Sequence, residues 1–315
     1  MKQYPVESFD EYDQLSSSFE SFEFSSCRML PSIDFLTFTV PFKEISSHSV
    51  SSFLMDNNFE ITRTFHSKHD TINKCIQSQV RLKGDDGRTN IFGMFCSINP
   101  GSFNTTFKAI NPDRKYFEHI INMTRNYSYS ISKAEFTIDI YTMDNGKLFD
   151  FLSTHSYLLW SRSFFNVTDS PSTGTRYLND IRNCNQFGGR IYIKDELDLS
   201  PVRIESYVKN RQFGKQEIKT ISQAINMTAD QVFKNWSFEK VDYNGIFRNI
   251  TDGKISRNDY ESGFLEAMNG NDNCGGLAAV RKYILSLKPG SYSYFKKHAF
   301  SRKFHRAIKN MNFVN

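Results

Sequence analysis

The sequence predicts an α+β fold: a largely antiparallel, twisted sheet with helices on one face and an open polar face, followed by a C-terminal helical region. Three observations predict it. Three segments after residue 130 alternate apolar and ionisable residues with the period of two that strands require. Turn and helix-start signals at Asn99-Pro100-Gly101, Asn111-Pro112 and Asp144-Asn145-Gly146 separate β-like runs from helical ones. After Gly214 the pattern turns helical to the end, broken at Gly245, Gly253, Gly275-Gly276 and Pro289-Gly290.

Taken in chain order, residues 1–28 are acidic and serine-rich without a clean period, which predicts a weakly ordered N-terminal arm. Ser32–Pro41 is apolar and rich in β-formers, a first strand, and Ser46–Asn57 suits a short helix. Asn90–Ile98 and Asn104–Ile110 form a strand pair. Asn111 caps a helix with Pro112 at its first position, running to about Arg125. A strand at Ile131–Tyr141 and a helix from near Leu148 follow. Gly188–Glu196 and Val202–Lys209 are two more strands, joined by Leu197–Pro201. The expected division is a 1–28 arm, a 29–214 α+β domain and a 215–315 helical region.

Charge narrows the partner. The net charge is +5, yet from Leu277 onward there is no Asp or Glu and there are nine Lys or Arg, leaving the rest of the chain acidic. Arg281, Lys282, Lys296, Lys297, Arg302, Lys303 and Arg306 in that stretch are candidate phosphate contacts, as are Arg203 and Lys209 on the last strand. A solvated amphipathic helix gives the same charge pattern. No apolar run is long enough to span a membrane, no basic-then-apolar leader opens the chain, and the five cysteines form no C-x-x-C pair. Those features predict a cytoplasmic protein without a zinc site or disulfide framework.

The chemistry sits on the three alternating strands. Ile131–Tyr141 puts Lys133, Glu135, Thr137, Asp139 and Tyr141 on one face; Gly188–Glu196 puts Arg190, Tyr192, Lys194 and Glu196 there; Val202–Lys209 puts Arg203, Glu205, Tyr207 and Lys209 there. A solvated sheet face with cross-strand ion pairs has the same pattern. The mixture suggests more. Carboxylates from separate strands suit a hard divalent cation. A tyrosine beside them becomes a usable nucleophile when a cation favours its phenolate.

This arrangement resembles the rolling-circle replication initiators of small Gram-positive plasmids and the replication nickases of filamentous phages. The resemblance is carried by Ser132-Lys133-Ala134-Glu135-Phe136-Thr137-Ile138-Asp139, Arg190-Ile191-Tyr192-Ile193-Lys194-Asp195-Glu196 and Val202-Arg203-Ile204-Glu205. Thr175-Arg176-Tyr177-Leu178, Phe107–Pro112 and Ile33–Leu36 add to it, so it covers roughly residues 30–215. It implies a metal-dependent single-strand DNA endonuclease and strand transferase that starts plasmid or phage replication through a 5′-phosphotyrosine. Tyr192 maps to the nucleophile, with Arg190 and Lys194 as catalytic neighbours. Glu135, Asp139, Glu196 and Glu205 map to ligands of Mg²⁺ or Mn²⁺. The implied partners are single-stranded or hairpin-origin DNA and a host helicase, with a homodimer as the candidate assembly. One departure stands out: the first acid is Glu135 after Lys133-Ala134, where the family has Asp after an Arg–aliphatic pair. A non-catalytic DNA-binding or copy-control relative is therefore the alternative. Tyr177, Tyr141 and Tyr207 are the competing tyrosines.

Three other motifs bear on function. The histidines form no His–hydrophobic–His triplet, which disfavours the other tyrosine-nucleophile class. His66-Ser67-Lys68-His69 has metal-ligand spacing for a helix but reads better as a solvent-exposed pair. Ile218–Trp236 has a helix–turn–helix flavour, with Ala224, Val232 and Trp236 as packing positions; two ordinary packed helices are the simpler expectation.

Overall fold

The computed structural model describes residues 6–41, 60–66, 76–83, 89–99, 102–112, 114–158, 174–178, 187–195, 200–250, 255–270 and 275–313. In chain order these form α1 (Phe9–Ser18), β1 (Arg28–Pro41), β2 (Glu60–His66), β3 (Ile76–Lys83), β4 (Thr89–Asn99), β5 (Ser102–Ile110), α2 (Arg114–Thr124), β6 (Ser130–Tyr141), α3 (Asn145–His155) and β7 (Ser156–Leu158). Then come β8 (Arg176–Leu178), β9 (Phe187–Ile193), β10 (Val202–Lys209), α4 (Asn210–Lys215), α5 (Ile221–Ile225), α6 (Ala229–Phe233) and β11 (Trp236–Val241). The chain closes with α7 (Tyr243–Ile250), α8 (Arg257–Asn269), α9 (Leu277–Leu287), β12 (Phe295–Lys297) and α10 (Ala299–Ile308). The fold is α+β, with antiparallel pairing and a helix-rich C-terminal region.

The chain divides into two units. One comprises Met1–Leu30, Ile138–Ser206 and Thr228–Met311; the other comprises Pro31–Thr137, Tyr207–Met227 and Asn312–Asn315. In the second unit the strands are hydrogen-bonded in the order β2-β3-β4-β5-β1-β6. β1 and β5 are antiparallel with Phe35 opposite Ile110 and Thr37 opposite Lys108. β4 and β5 are antiparallel down to Asn99 opposite Ser102, which closes the expected hairpin. The sequence pattern does not announce β2 or β3; their pairing is irregular between Ile61 and Arg63. Ser46–Asn57 lies outside the described residues.

Helix α2 begins at Arg114, later than the Asn-Pro signal suggests. Asn111 takes a left-handed φ of 43° and donates its backbone N–H to Asp34 O at 2.7 Å, so it ends the β5 run rather than capping the helix.

In the first unit the order is β6-β10-β9-β8, beside a smaller sheet β12-β11-β7. α3 starts where Asp144 accepts the backbone N–H of Lys147 at 3.0 Å. Its buried face carries Leu148, Phe151 and Leu152. Residues 1–28, expected as a loose arm, contain α1, whose Phe9 and Tyr12 are buried with Phe264, Val280 and Ile284. The Tyr12 ring lies parallel to that of His155, centroids 4.7 Å apart. Burial and the neighbouring His298 hold His155 well below the usual histidine range.

The region after Gly214 is not wholly helical: β11 and β12 pair antiparallel, Glu239 opposite Lys297. Trp236 is strand, not the second helix of a helix–turn–helix. α6 ends at Phe233, and its five residues span about 7.5 Å, too short to read a groove. Val232 is buried, and Trp236 is 1 % exposed. Trp236 also explains Gly189: a Cβ added there would lie 2.3 Å from Trp236 Cζ2, so β9 meets the indole only because position 189 has no side chain.

Candidate functional site

Apolar residues on β6 and β10 (Ala134, Phe136, Ile138, Ile140; Val202, Ile204, Val208) are buried, as their alternation requires. The polar face is far less open than the pattern suggests. Glu135 is 4 % exposed, Asp139 5 %, Arg203 8 % and Glu205 1 %. Charges this deep persist only when partnered. In contrast, Arg190 and Tyr192 on β9, and Lys194 just after it, are half-buried and reach solvent.

In the first unit these side chains form one connected group. Tyr192 Oη donates to Glu205 Oε1 at 2.6 Å. The Arg190 guanidinium donates to Glu205 Oε2, and its centre lies 5.5 Å from the Tyr192 ring centroid. Arg203 grips Asp139 through two bonds, Nε to Oδ1 at 2.6 Å and Nη2 to Oδ2 at 2.7 Å. Lys194 Nζ lies 3.6 Å from Asp139 Oδ2, and Arg203 Nη1 lies 4.0 Å from Glu205 Oε1. Burial works against the Arg203 charge, but Asp139 and then Tyr192 outweigh it, so the guanidinium is held above its ordinary value.

Such an arrangement supplies a phenol whose proton already has an acceptor, with three cations gathered around two buried carboxylates. Removing a proton from tyrosine near neutrality needs a base and cationic stabilisation of the phenolate; Glu205 offers the first and Arg190 with Arg203 the second.

The metal set is less well met. Both Asp139 oxygens are taken by Arg203, and those of Glu205 by Arg190 and Tyr192. Glu135 falls in the other unit, and Glu196 lies outside the described residues. Among the described residues no group of three or more His, Cys, Asp or Glu is placed to hold a metal ion. As arranged, these donors do not fit a hard divalent cation, which takes six or more oxygens unshared with such strong donors. His66 ends a strand, and His69 lies outside the described residues.

Tyr177 stands on β8 directly opposite Arg190. Tyr207 is buried against Phe35, ring centroids 5.9 Å apart, and Tyr141 lies under the Arg28 guanidinium. Of these four tyrosines, Tyr192 is the one bonded to Glu205.

The basic C-terminal residues divide. Arg281 pairs with Glu239 and packs 4.2 Å from the Phe295 ring centroid. Lys303 donates to the carbonyls of Glu20 and Phe22, each at 3.0 Å. Lys296 pairs with Asp242 at 2.6 Å. Lys282, Lys297, Arg302 and Arg306 are exposed. The segment is no appendage: Phe300, Phe304 and Ile308 are fully buried, with Phe300 centred 5.0 Å from Phe238. Deleting it would remove these core side chains as well as the charges, so the charges are to be tested by replacement.

Sequence reasoning assigns Arg203 to DNA and misses its role as the partner of Asp139. It places Lys133 on the polar face without a role and does not single out Lys108; both are half-buried on strands of the second unit. Among the described residues no helix is long and apolar enough to cross a membrane.

No family model matches the chain, and no protein of curated function matches it. Among solved structures, the rolling circle replication initiator protein from Geobacillus stearothermophilus is similar at a TM-score of 0.42 and 11% identity, covering 83% of this chain and 97% of that one.

Proposed function

We propose that the protein nicks and rejoins single-stranded DNA with Tyr192 as nucleophile, as a rolling-circle replication initiator does. The observation that carries this reading is the Tyr192–Glu205 hydrogen bond of 2.6 Å, closed on its far side by Arg190. Tyr192 Oη attacks the scissile phosphorus and forms the P–O bond of a 5′-phosphotyrosine. Its proton passes to Glu205 Oε1. The bond to the 3′ oxygen breaks, that oxygen leaves with the electron pair, and solvent supplies the proton that completes the 3′-hydroxyl. Arg190 and Arg203 offset charge on the non-bridging oxygens. Rejoining is the reverse, with Glu205 returning the proton. The ion implied by the family resemblance, Mg²⁺ or Mn²⁺, would reach Asp139 or Glu205 only if the arginines released them, so no step is assigned to it.

The test is covalent capture. A labelled single strand of the cognate origin, incubated with the protein and run on a denaturing gel, should give a protein–DNA band. Tyr192→Phe deletes one oxygen and keeps the ring, so binding should stay near wild type while the band falls at least ~10³-fold. A band that survives in Tyr192→Phe and vanishes in Tyr177→Phe moves the nucleophile to Tyr177.

One observation favours a second reading, binding without cutting: both buried carboxylates are already fully paired, as in a purely structural ion-pair network. Absence of the band on cognate DNA, with or without Mg²⁺ or Mn²⁺, together with retained strand binding, would select that reading.

A further inference from the structure

A second set of cations lies in the other unit, outside the tyrosine group. Lys108 on β5 places Nζ 4.5 Å from the centroid of the Phe35 ring on β1. Lys133 on β6 places Nζ 5.6 Å from the same centroid. Phe35 packs edge-on to Tyr207 of β10, and Lys209 Nζ lies 5.8 Å from the Tyr207 ring centroid. Three strands thus bring three ammonium groups around two buried rings. All three lysines are half-buried, and each ammonium lies over an aromatic ring. Gathering like charges costs stability, and the cost is offset when an anion arrives.

We infer that Lys108, Lys133 and Lys209 form a binding site for the phosphate backbone of single-stranded nucleic acid, separate from the tyrosine group. Two features select a strand over a single small anion. Two of the ammonium groups lie over Phe35 and the third over the neighbouring Tyr207, so positive charge extends along a pair of packed rings, which suits successive phosphates of an extended chain. They are also point charges on flexible stems, which grip a backbone without reading sequence. The choice of DNA over RNA rests on the nicking reading; the backbone site does not.

The experiment is fluorescence anisotropy of a labelled oligothymidylate across a salt series, with the full chain. Its variants are Lys108→Met, Lys133→Met, Lys209→Met and the triple, with the triple Lys→Arg protein as the charge-keeping control. Methionine retains the apolar stem over the rings. For every phosphate that is no longer neutralised, the slope of log K against log salt should fall by about 0.7. The triple Met variant should therefore lose about 2 from the slope while the triple Arg variant keeps it. A triple Met variant with the wild-type slope overturns the inference and leaves the lysines as covers for the aromatic floor. Loss of binding to phosphatidylserine vesicles with strand binding unchanged overturns it too, in favour of a lipid headgroup site. The covalent band is scored separately. A lysine-dependent slope without a band keeps this site and removes the nicking reading; a band with an unchanged slope does the opposite.

Discussion

The two charged regions differ in how their charge is settled. Around Tyr192 every buried ion has a partner: Asp139 is held twice by Arg203, and Glu205 is held by Arg190 and the tyrosine. Around Phe35 lie Lys108, Lys133 and Lys209, and Lys133 meets the other two as like charges and Glu135 as an opposite one. The first arrangement fixes atoms in place, which chemistry on a phosphorus needs. The second concentrates positive charge, which suits a polyanion bound through counterion release. A basic tail suggests that DNA affinity would sit at the C-terminus, yet Arg281 and Lys303 there are engaged in internal contacts.

The comparison breaks most visibly at Glu205. If its carboxylate is the proton acceptor of Tyr192, Glu205→Gln should slow covalent-band formation by ~10²–10⁴-fold, the usual weight of a general base. Excess Mn²⁺ should not restore the rate. Restoration by Mn²⁺ in a single-turnover assay would mean that Glu205 serves a cation and that Arg190 yields to it. Stability should respond next. Arg203→Met strands Asp139 as a buried, unpaired charge and should cost about 3–5 kcal/mol in urea unfolding. Adding Asp139→Leu should recover most of that loss, because a packed apolar pair needs no counter-charge. If the double variant is as unstable as the single one, the pair is not the reason Asp139 is tolerated in the core.

Much of this architecture is legible in the sequence, and the exceptions have physical causes. Val202–Lys209 is bounded as read because Pro201 precedes a strict alternation that only a strand satisfies. The same alternation places the tyrosine, both acids and their neighbours on three strands. The partners are not legible. Arg203 meets Asp139 across 64 residues of sequence, and such a pairing depends on strand order and register, which alternation within one strand does not encode. Lys108 and Lys133 escape for the same reason: they meet because β1 lies between β5 and β6, a non-sequential order. Burial of the polar face is hidden too, since one strand's pattern says what is greasy and nothing of what covers the rest. Trp236–Val241 misleads through composition: its aromatic spacing continues the preceding helical pattern, and the strand is settled by pairing with β7 and β12.

The smallest expected effect sharpens the contrast from the other side. Removing a charge from the lysine set should relieve repulsion rather than create a hole, so Lys133→Met without DNA should leave stability unchanged or raise it by about 0.3 kcal/mol, the scale of an exposed like-charge pair. The pH dependence follows from the direction of the Lys133 shift. Its pKa is lowered in the folded chain, by burial first and then by Lys108 and Lys209, with Glu135 opposing. Above its folded pKa and below the ordinary lysine value near 10.5, the unfolded chain therefore binds more protons, and stability from this group rises with pH across that window. Below the folded pKa the penalty is fully present. Urea unfolding at neutral pH and near pH 10 should show Lys133→Met gaining less from alkaline pH than the wild type. Added salt should narrow the gap at neutral pH, because screening weakens the same repulsion. A Lys133→Met protein that is markedly less stable at neutral pH would mean that the ammonium is held by an attractive partner, and the contrast between settled and unsettled charge would fail at the residue on which it most depends.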